Sequence, residues 1–139
     1  MSIRIFTDGA AQPNTGHKGL GVVVEWQGKT PLVLSKYAGV GTNNEAEYEA
    51  FIESLQIIKD ENIKDCTIHS DSNLMVNQVN GKWQCKDLKL KSLLFKASKR
   101  LDWLKNNGHK IEVIYIPREL NLADEPAKQG AMKGKNLAK

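Results

Sequence analysis

Residues 3–8, read I-R-I-F-T-D and followed at once by Gly9-Ala10-Ala11, constrain the fold more than any other part of the chain. β-Branched and aromatic residues favour a strand, and they run to Thr7 before an acid and a glycine intervene. In open α/β sheets, ligands sit beyond the carboxyl ends of the strands. A carboxylate placed there faces a cleft and avoids the cost of burying charge in the core. Taken alone, Asp8-Gly9 also fits a plain turn, because Asp-Gly pairs form turns readily. The remainder of the chain decides between the two.

From Ala10 to Gly16 the composition is that of a loop. Gly19-Leu20-Gly21 leads into Val22-Val23-Val24, Gln27-Gly28-Lys29 reads as a turn, and residues 30–37 read as a further strand. Three successive strands joined by short turns predict an antiparallel meander. After a glycine-rich stretch over residues 38–42, Thr42-Asn43-Asn44 offers N-cap side chains for a helix over residues 44–60. Its Ala50, Phe51, Leu55 and Ile58 have helical spacing. Residues 65–70 read as a short strand ending at Asp71, residues 72–79 as a helix stopped by Asn80-Gly81, and residues 87–107 as a longer helix stopped by Gly108. An alternating strand over residues 110–116 ends at Pro117, and a last helix starts near Asp124 and frays past Gly134. The first and fourth strands are joined through a helix, so they should be parallel neighbours. The expected fold is one α/β domain over residues 1–139. Its five-stranded mixed sheet has three antiparallel strands, then parallel ones, flanked by helices.

No apolar run reaches the length of a membrane span, and the first residues lack an apolar signal segment. Cys66 and Cys85 give neither a metal-binding spacing nor a disulfide framework, which suggests a reducing, cytosolic compartment. The net charge of +4 and pI of about 9.0 lean toward nucleic acid. Lys82, Lys86, Lys89, Lys91, Lys96, Lys99 and Arg100 crowd one segment, and Lys128, Lys133, Lys135 and Lys139 end the chain. Taken alone, the first group is better read as a solvated helix face.

Asp8 and Asp71 occupy equivalent places, each read as the last residue of a parallel strand. Neighbouring strands lie about 4.8 Å apart, so the two acids can share a divalent cation, the natural remedy for close like charges. The first helix carries Glu45, Glu47, Glu49 and Glu53. At about 100° per residue, Glu47 falls on the face of Phe51, Ser54, Leu55 and Ile58. A carboxylate on a buried face is unusual unless it is paired or binds metal. Glu45, Glu49 and Glu53 are read as surface charge. Asp124 precedes Glu125-Pro126, and proline belongs in a helix's first turn, so Asp124 sits at a helix N-terminus, where, taken alone, it reads as a plain cap. Glu125 is expected to point outward. An all-carboxylate oxygen site suits Mg²⁺ or Mn²⁺ over zinc. Four acids can hold two ions about 3.5–4 Å apart, as used for in-line displacement at phosphorus.

Four blocks in order, Thr7-Asp8-Gly9-Ala10, Thr42-Asn43-Asn44-Glu45-Ala46-Glu47-Tyr48, Ser70-Asp71-Ser72 and Pro117-Arg118-Glu119-Leu120-Asn121-Leu122-Ala123-Asp124, resemble ribonuclease HI and span nearly the whole chain. The resemblance implies a Mg²⁺-dependent endonuclease that cuts RNA within RNA–DNA hybrids and leaves 5′-phosphate and 3′-hydroxyl ends. It maps the family's four acids onto Asp8, Glu47, Asp71 and Asp124. It also implies substrate contacts by Asn14, Asn43 and Asn44 with the RNA minor groove and ribose hydroxyls, and by Asn73 at a position usually held by Gln. Thr42 would meet a phosphate of the DNA strand, with Trp83 near that phosphate. Turn and cap chemistry explains the asparagines otherwise, and core packing explains Trp83 otherwise.

The chain departs from the familiar bacterial pattern in two places. The glycine-rich, histidine-bearing loop before the fourth acid is replaced by a short connection in which Arg118 is the group available to take over. Arg118 neutralises charge and does not shuttle protons. Residues 82–100 hold one continuous helix without the inserted basic handle, and no further hybrid-binding domain is expected before residue 1. The compact form resembles archaeal-like members and retroviral domains, some of which also accept double-stranded RNA, and it is expected to act as a monomer. Three other readings compete: a catalytically inactive binding module, a phosphotransfer domain with Asp8 as nucleophile, and a structural protein. The first wants an acid missing, the second wants an Asp where Ala10 stands, and the third leaves Glu47 unexplained.

Overall fold

The computed structural model describes residues 3–137. Five strands form one sheet: β1 (Ile3–Ala11), β2 (His17–Glu25), β3 (Leu32–Val40), β4 (Asp65–Ser70) and β5 (Lys110–Tyr115). Their spatial order is β3-β2-β1-β4-β5. β1, β2 and β3 pair antiparallel, and β4 pairs parallel with both β1 and β5. Both the meander and the parallel crossover expected from the sequence are present.

Helix α1 (Asn43–Asp60) crosses from β3 to β4 and buries Tyr48, Phe51, Leu55 and Ile58 against Ile5, Val22, Val24 and Ile68. Thr42 caps it by accepting a hydrogen bond from the Glu45 N–H. Helix α2 (Asn73–Val79) follows β4, and α3 (Leu88–Asn106) packs along α1, adding Leu90, Ala97, Leu101 and Leu104 to the same core. Helix α4 (Asp124–Leu137) lies on the other face, over β2 and β3. It comes close because Gly19 and Gly21 carry no side chain: a Cβ would stand 2.0 Å from the Ala127 carbonyl oxygen and 2.5 Å from that of Ala123. The fraying expected past Gly134 is not seen among the described residues, since α4 continues to Leu137. Lys139 lies outside them.

Several boundaries differ from the sequence reading. β1 continues three residues beyond Asp8, because Gly9, Ala10 and Ala11 pair with Leu20, Gly19 and Lys18. Small residues carry little strand propensity, and the ladder supplies what composition does not. β3 takes in the first part of the glycine-rich stretch, residues 38–40, and ends at Val40. A 3₁₀ turn, Arg118–Leu120, fills the connection before α4. Glu45, Glu49 and Glu53 are not free surface charges. Lys18 is 5 % exposed; it is hydrogen-bonded to Glu49 and lies 4.0 Å from Glu45, while Lys36 pairs with Glu53 at 2.7 Å. A buried ammonium needs such partners, and helical phase cannot reveal a cation on another strand.

Candidate active site

The acidic centre lies where β1 and β4 part. Their parallel pairing runs to Thr7 opposite Ser70. β1 then continues beside β2, whereas β4 ends and the chain turns into α2. Asp8 is therefore inside its strand and not at its end, but it is the first residue without a β4 partner. Asp71 is held from both sides. The Ser72 N–H donates to Ser70 Oγ at 3.1 Å, and Ser72 Oγ accepts from the Met75 N–H at 3.2 Å.

Glu47 reaches the centre from α1. A Cβ on Gly9 would stand 2.1 Å from the Ala46 carbonyl carbon, so glycine is what lets α1 lie against β1. The Gly9 N–H then donates to Glu47 Oε1 at 2.6 Å. One oxygen each of Asp8, Glu47 and Asp71 lies within 4.8 Å of the others. Asp8 is 6 % exposed and Glu47 9 %. Burial pushes the Asp8 carboxyl up to about 7; the hydrogen bond from Glu47 opposes this, and the charges of Asp71 and Asp124 reinforce it. Burial also raises Glu47 well above the usual carboxylate range, with Asp8 adding to it. Oxygen donors crowded to this degree, in partly desolvated surroundings, fit a hard divalent cation.

Asp124 stands at the start of α4, outside that group of three but in hydrogen-bonding reach of Asp8 and on the same cleft of about 670 Å³. Buried Asn121 sets its approach: its Nδ2 donates to the Thr7 carbonyl at 3.0 Å, and its Oδ1 accepts from the Ala123 N–H at 3.0 Å. Burial works against ionisation of Asp124, but Lys128, 3.0 Å away, and Arg118, at 3.5 Å, outweigh it and hold the carboxyl below its ordinary value. The sequence reading singled out neither Asn121 nor Lys128 as a site residue. The i,i+4 spacing of Asp124 and Lys128 was the available signal for the second. Glu125 is exposed, as expected.

The three histidines are elsewhere. His17 Nδ1 is 2.8 Å from the Tyr37 hydroxyl, His69 stacks on Phe6, and buried His109 bonds the Ile63 carbonyl. Of the expected substrate residues, Asn43 lines the cleft, and its Oδ1 accepts from the Ala11 N–H at 2.7 Å. Asn14, Thr42 and Asn44 are exposed nearby in sequence but do not line it, and Thr42 spends its oxygen on the helix cap. Asn73 is exposed and its Oδ1 accepts from Asn77. Trp83 is 47 % exposed on the loop between α2 and α3, so it is not a packed core residue.

The family model described as RNase H matches residues 1–132. The chain belongs to the RNase H family. It is 35 % identical over 142 residues to the ribonuclease HI of Haemophilus ducreyi, covering 94 % of this chain and 90 % of that protein. It is 40 % identical over 83 residues to the ribonuclease H of Chlorobium phaeovibrioides, covering 58 % of this chain and 53 % of that protein, so the match spans about half the length of that relative. The structure of LC11-RNase H1 in complex with RNA/DNA hybrid superposes with a TM-score of 0.82 at 33 % identity, covering 96 % of this chain and 99 % of that one. The family is one of nucleases that normally use divalent metal ions, and Asp8, Glu47 and Asp71 of this chain form a group suited to hold one. No helix among the described residues is long and apolar enough to cross a membrane.

Proposed function

We propose that residues 1–139 act as a single ribonuclease H domain that hydrolyses the RNA strand of RNA–DNA hybrids as an endonuclease, leaving 5′-phosphate and 3′-hydroxyl ends. The observation that carries this reading is the meeting of Asp8, Glu47 and Asp71 within 4.8 Å, with Asp124 on the same cleft, in a chain of this family. In it, Asp8, Glu47, Asp71 and Asp124 hold two Mg²⁺ ions, with Mn²⁺ able to substitute. Ions held there would supply charge stabilisation for the attacking and leaving oxygens of an in-line displacement.

The chain's own groups do the rest. The Gly9 N–H fixes Glu47, and the Asn121 amide fixes the approach of Asp124. Arg118 offsets negative charge where the scissile phosphate enters and takes the place of the histidine of other members. Asn43 gives its oxygen to β1, which leaves its NH₂ to donate to minor-groove acceptors or a 2′-hydroxyl, the group that distinguishes RNA from DNA. Asn14, Thr42, Asn44, Asn73 and Trp83 extend the contact along the duplex. The protein works as a monomer in the cytoplasm, in keeping with two buried free cysteines.

Cleavage of one RNA, hybridised to DNA, hybridised to RNA, and single-stranded, tests the reading in Mg²⁺, in Mn²⁺ and in chelator, beside Asp8→Asn. Metal-dependent cutting of the hybrid that disappears in Asp8→Asn is the expected result, and the RNA duplex sets the specificity. A folded protein that binds hybrid but cuts nothing under either metal would instead be a nucleic-acid-binding module.

A further inference from the structure

A buried polar chain runs from α1 beside the acidic centre to the carbonyl of Gln84, the residue after the exposed Trp83. Tyr48, the residue after Glu47 on α1, is fully buried, and its hydroxyl donates to Gln78 Oε1 on α2. Gln78 is 6 % exposed, and its Nε2 donates to the Gln84 carbonyl at 3.2 Å. A carbonyl can only accept, so this contact fixes which way the Gln78 amide faces and obliges the Tyr48 hydroxyl to donate. One residue earlier in α2, the Asn77 carbonyl accepts from the N–H groups of Lys82 and Trp83, at 2.8 and 3.2 Å. Trp83 is thus gripped at its own N–H and at the carbonyl of the next residue, both from the last turn of α2.

The other end of α2 is capped by Ser72, directly after Asp71. The main chain that carries Trp83 is therefore tied to Asp71 through α2 and to Glu47 through Tyr48. Burying a phenol and a primary amide in an apolar core brings little net stability over an apolar pair of the same shape. What it does bring is a single geometry.

Resting on the nuclease reading above, we propose that Gln78, held by Tyr48, is a positioning residue that fixes the distance from Trp83 to the carboxylate centre and so sets which phosphodiester of a bound duplex is cut. Gln78 touches neither substrate nor the reacting atoms. It acts through the backbone of the loop that carries Trp83.

The test is the double variant Tyr48→Phe/Gln78→Leu, which removes both side-chain partners together and leaves only the carbonyl of exposed Gln84 without its donor, with Gln78→Leu alone beside it. On an end-labelled hybrid long enough to reach Trp83, the double variant is expected to raise KM about threefold to tenfold with kcat within twofold, and to spread cleavage over neighbouring positions. On a hybrid too short to reach Trp83, both constants should match the parent. Trp83→Ala should reproduce the raised KM. A second readout is independent of activity. In a Trp26→Phe/Trp103→Phe background, acrylamide quenching of Trp83 should increase on Gln78→Leu. An unchanged cleavage ladder, or an equal loss of kcat on both substrates, overturns the proposal. Unchanged quenching overturns it even if the chain cuts no hybrid at all, whereas absence of hybrid cleavage by the parent overturns the nuclease reading by itself.

Discussion

The Gly9 N–H donates to Glu47 Oε1 across the contact between β1 and α1. The same glycine is the position at which a Cβ would meet the backbone of Ala46. One missing side chain thus sets both the spacing of two elements and the aim of an acid. Gly9→Ala is expected to push α1 away from β1, because backbone cannot yield as a side chain can. Overpacking of this kind costs about 3 kcal/mol. Calorimetric Mn²⁺ titration should show weakened binding alongside a lowered Tm. A variant with parental Tm and parental Mn²⁺ affinity would mean that the glycine is dispensable.

Asp8 makes stability depend on pH in an unusual direction. Its carboxyl is pushed up to about 7, led by burial, from an ordinary value of 3.8. Between those values the folded chain holds a proton that the unfolded chain has released. The stabilisation from this group is therefore complete below about pH 4 and is lost as pH rises through 7. Asp8→Asn, uncharged throughout, should match the parent at pH 4 and exceed it by about 4 kcal/mol at pH 8, both in chelator. Urea denaturation at pH 4, 6 and 8 measures the difference. A parent that gains on the variant as pH rises contradicts this account. Added Mn²⁺ should stabilise the parent more than the variant at pH 8.

The sequence made the acids legible for different reasons. Glu47 declared itself through helical phase, because a carboxylate shared the face of Phe51 and Leu55. Asp71 followed a strand whose end was marked by Ser70-Asp71-Ser72. Asp8 was found for a reason only half correct, since composition placed the strand's end at Asp8 while pairing with β2 carries it to Ala11. Glu45 and Glu49 were misjudged because their cation, Lys18, lies on β2. Local periodicity carries no information about charges brought together by tertiary packing. For the same reason Asn121, whose bond to Thr7 spans 114 residues, had no local signature.

Asp71→Asn and Glu125→Gln separate a cluster acid from a bystander. Asp71 contributes an oxygen to the group of three, and Glu125 is exposed at the first turn of α4. Charge stabilisation by a held metal is worth several kcal/mol, so losing a ligand should slow hybrid cleavage by about a hundredfold or more. Circular dichroism should stay unchanged in both variants. Glu125→Gln should cleave within twofold of the parent. Comparable losses in the two would assign the effect to net charge and not to ligation.

Arg118 is the group through which this chain is expected to differ from histidine-bearing relatives. Its Nε lies 3.5 Å from Asp124 Oδ1 while most of the side chain faces solvent, and none of the three histidines lines the cleft. A guanidinium stays charged throughout the working range, so it can hold a phosphate or steady Asp124 but cannot pass a proton. At saturating Mg²⁺, the pH–rate profile should therefore show no step that depends on residue 118. Arg118→Ala should lower kcat/KM about tenfold by the same factor at every pH from 6 to 9. Arg118→Lys should recover part of that loss, because charge survives while the planar fork does not. Arg118→His should introduce a new inflection near the imidazole range. A parental profile with a step near neutrality that disappears in Arg118→Ala would show that Arg118 governs a proton transfer, and the charge-neutralising role assigned to it would fall.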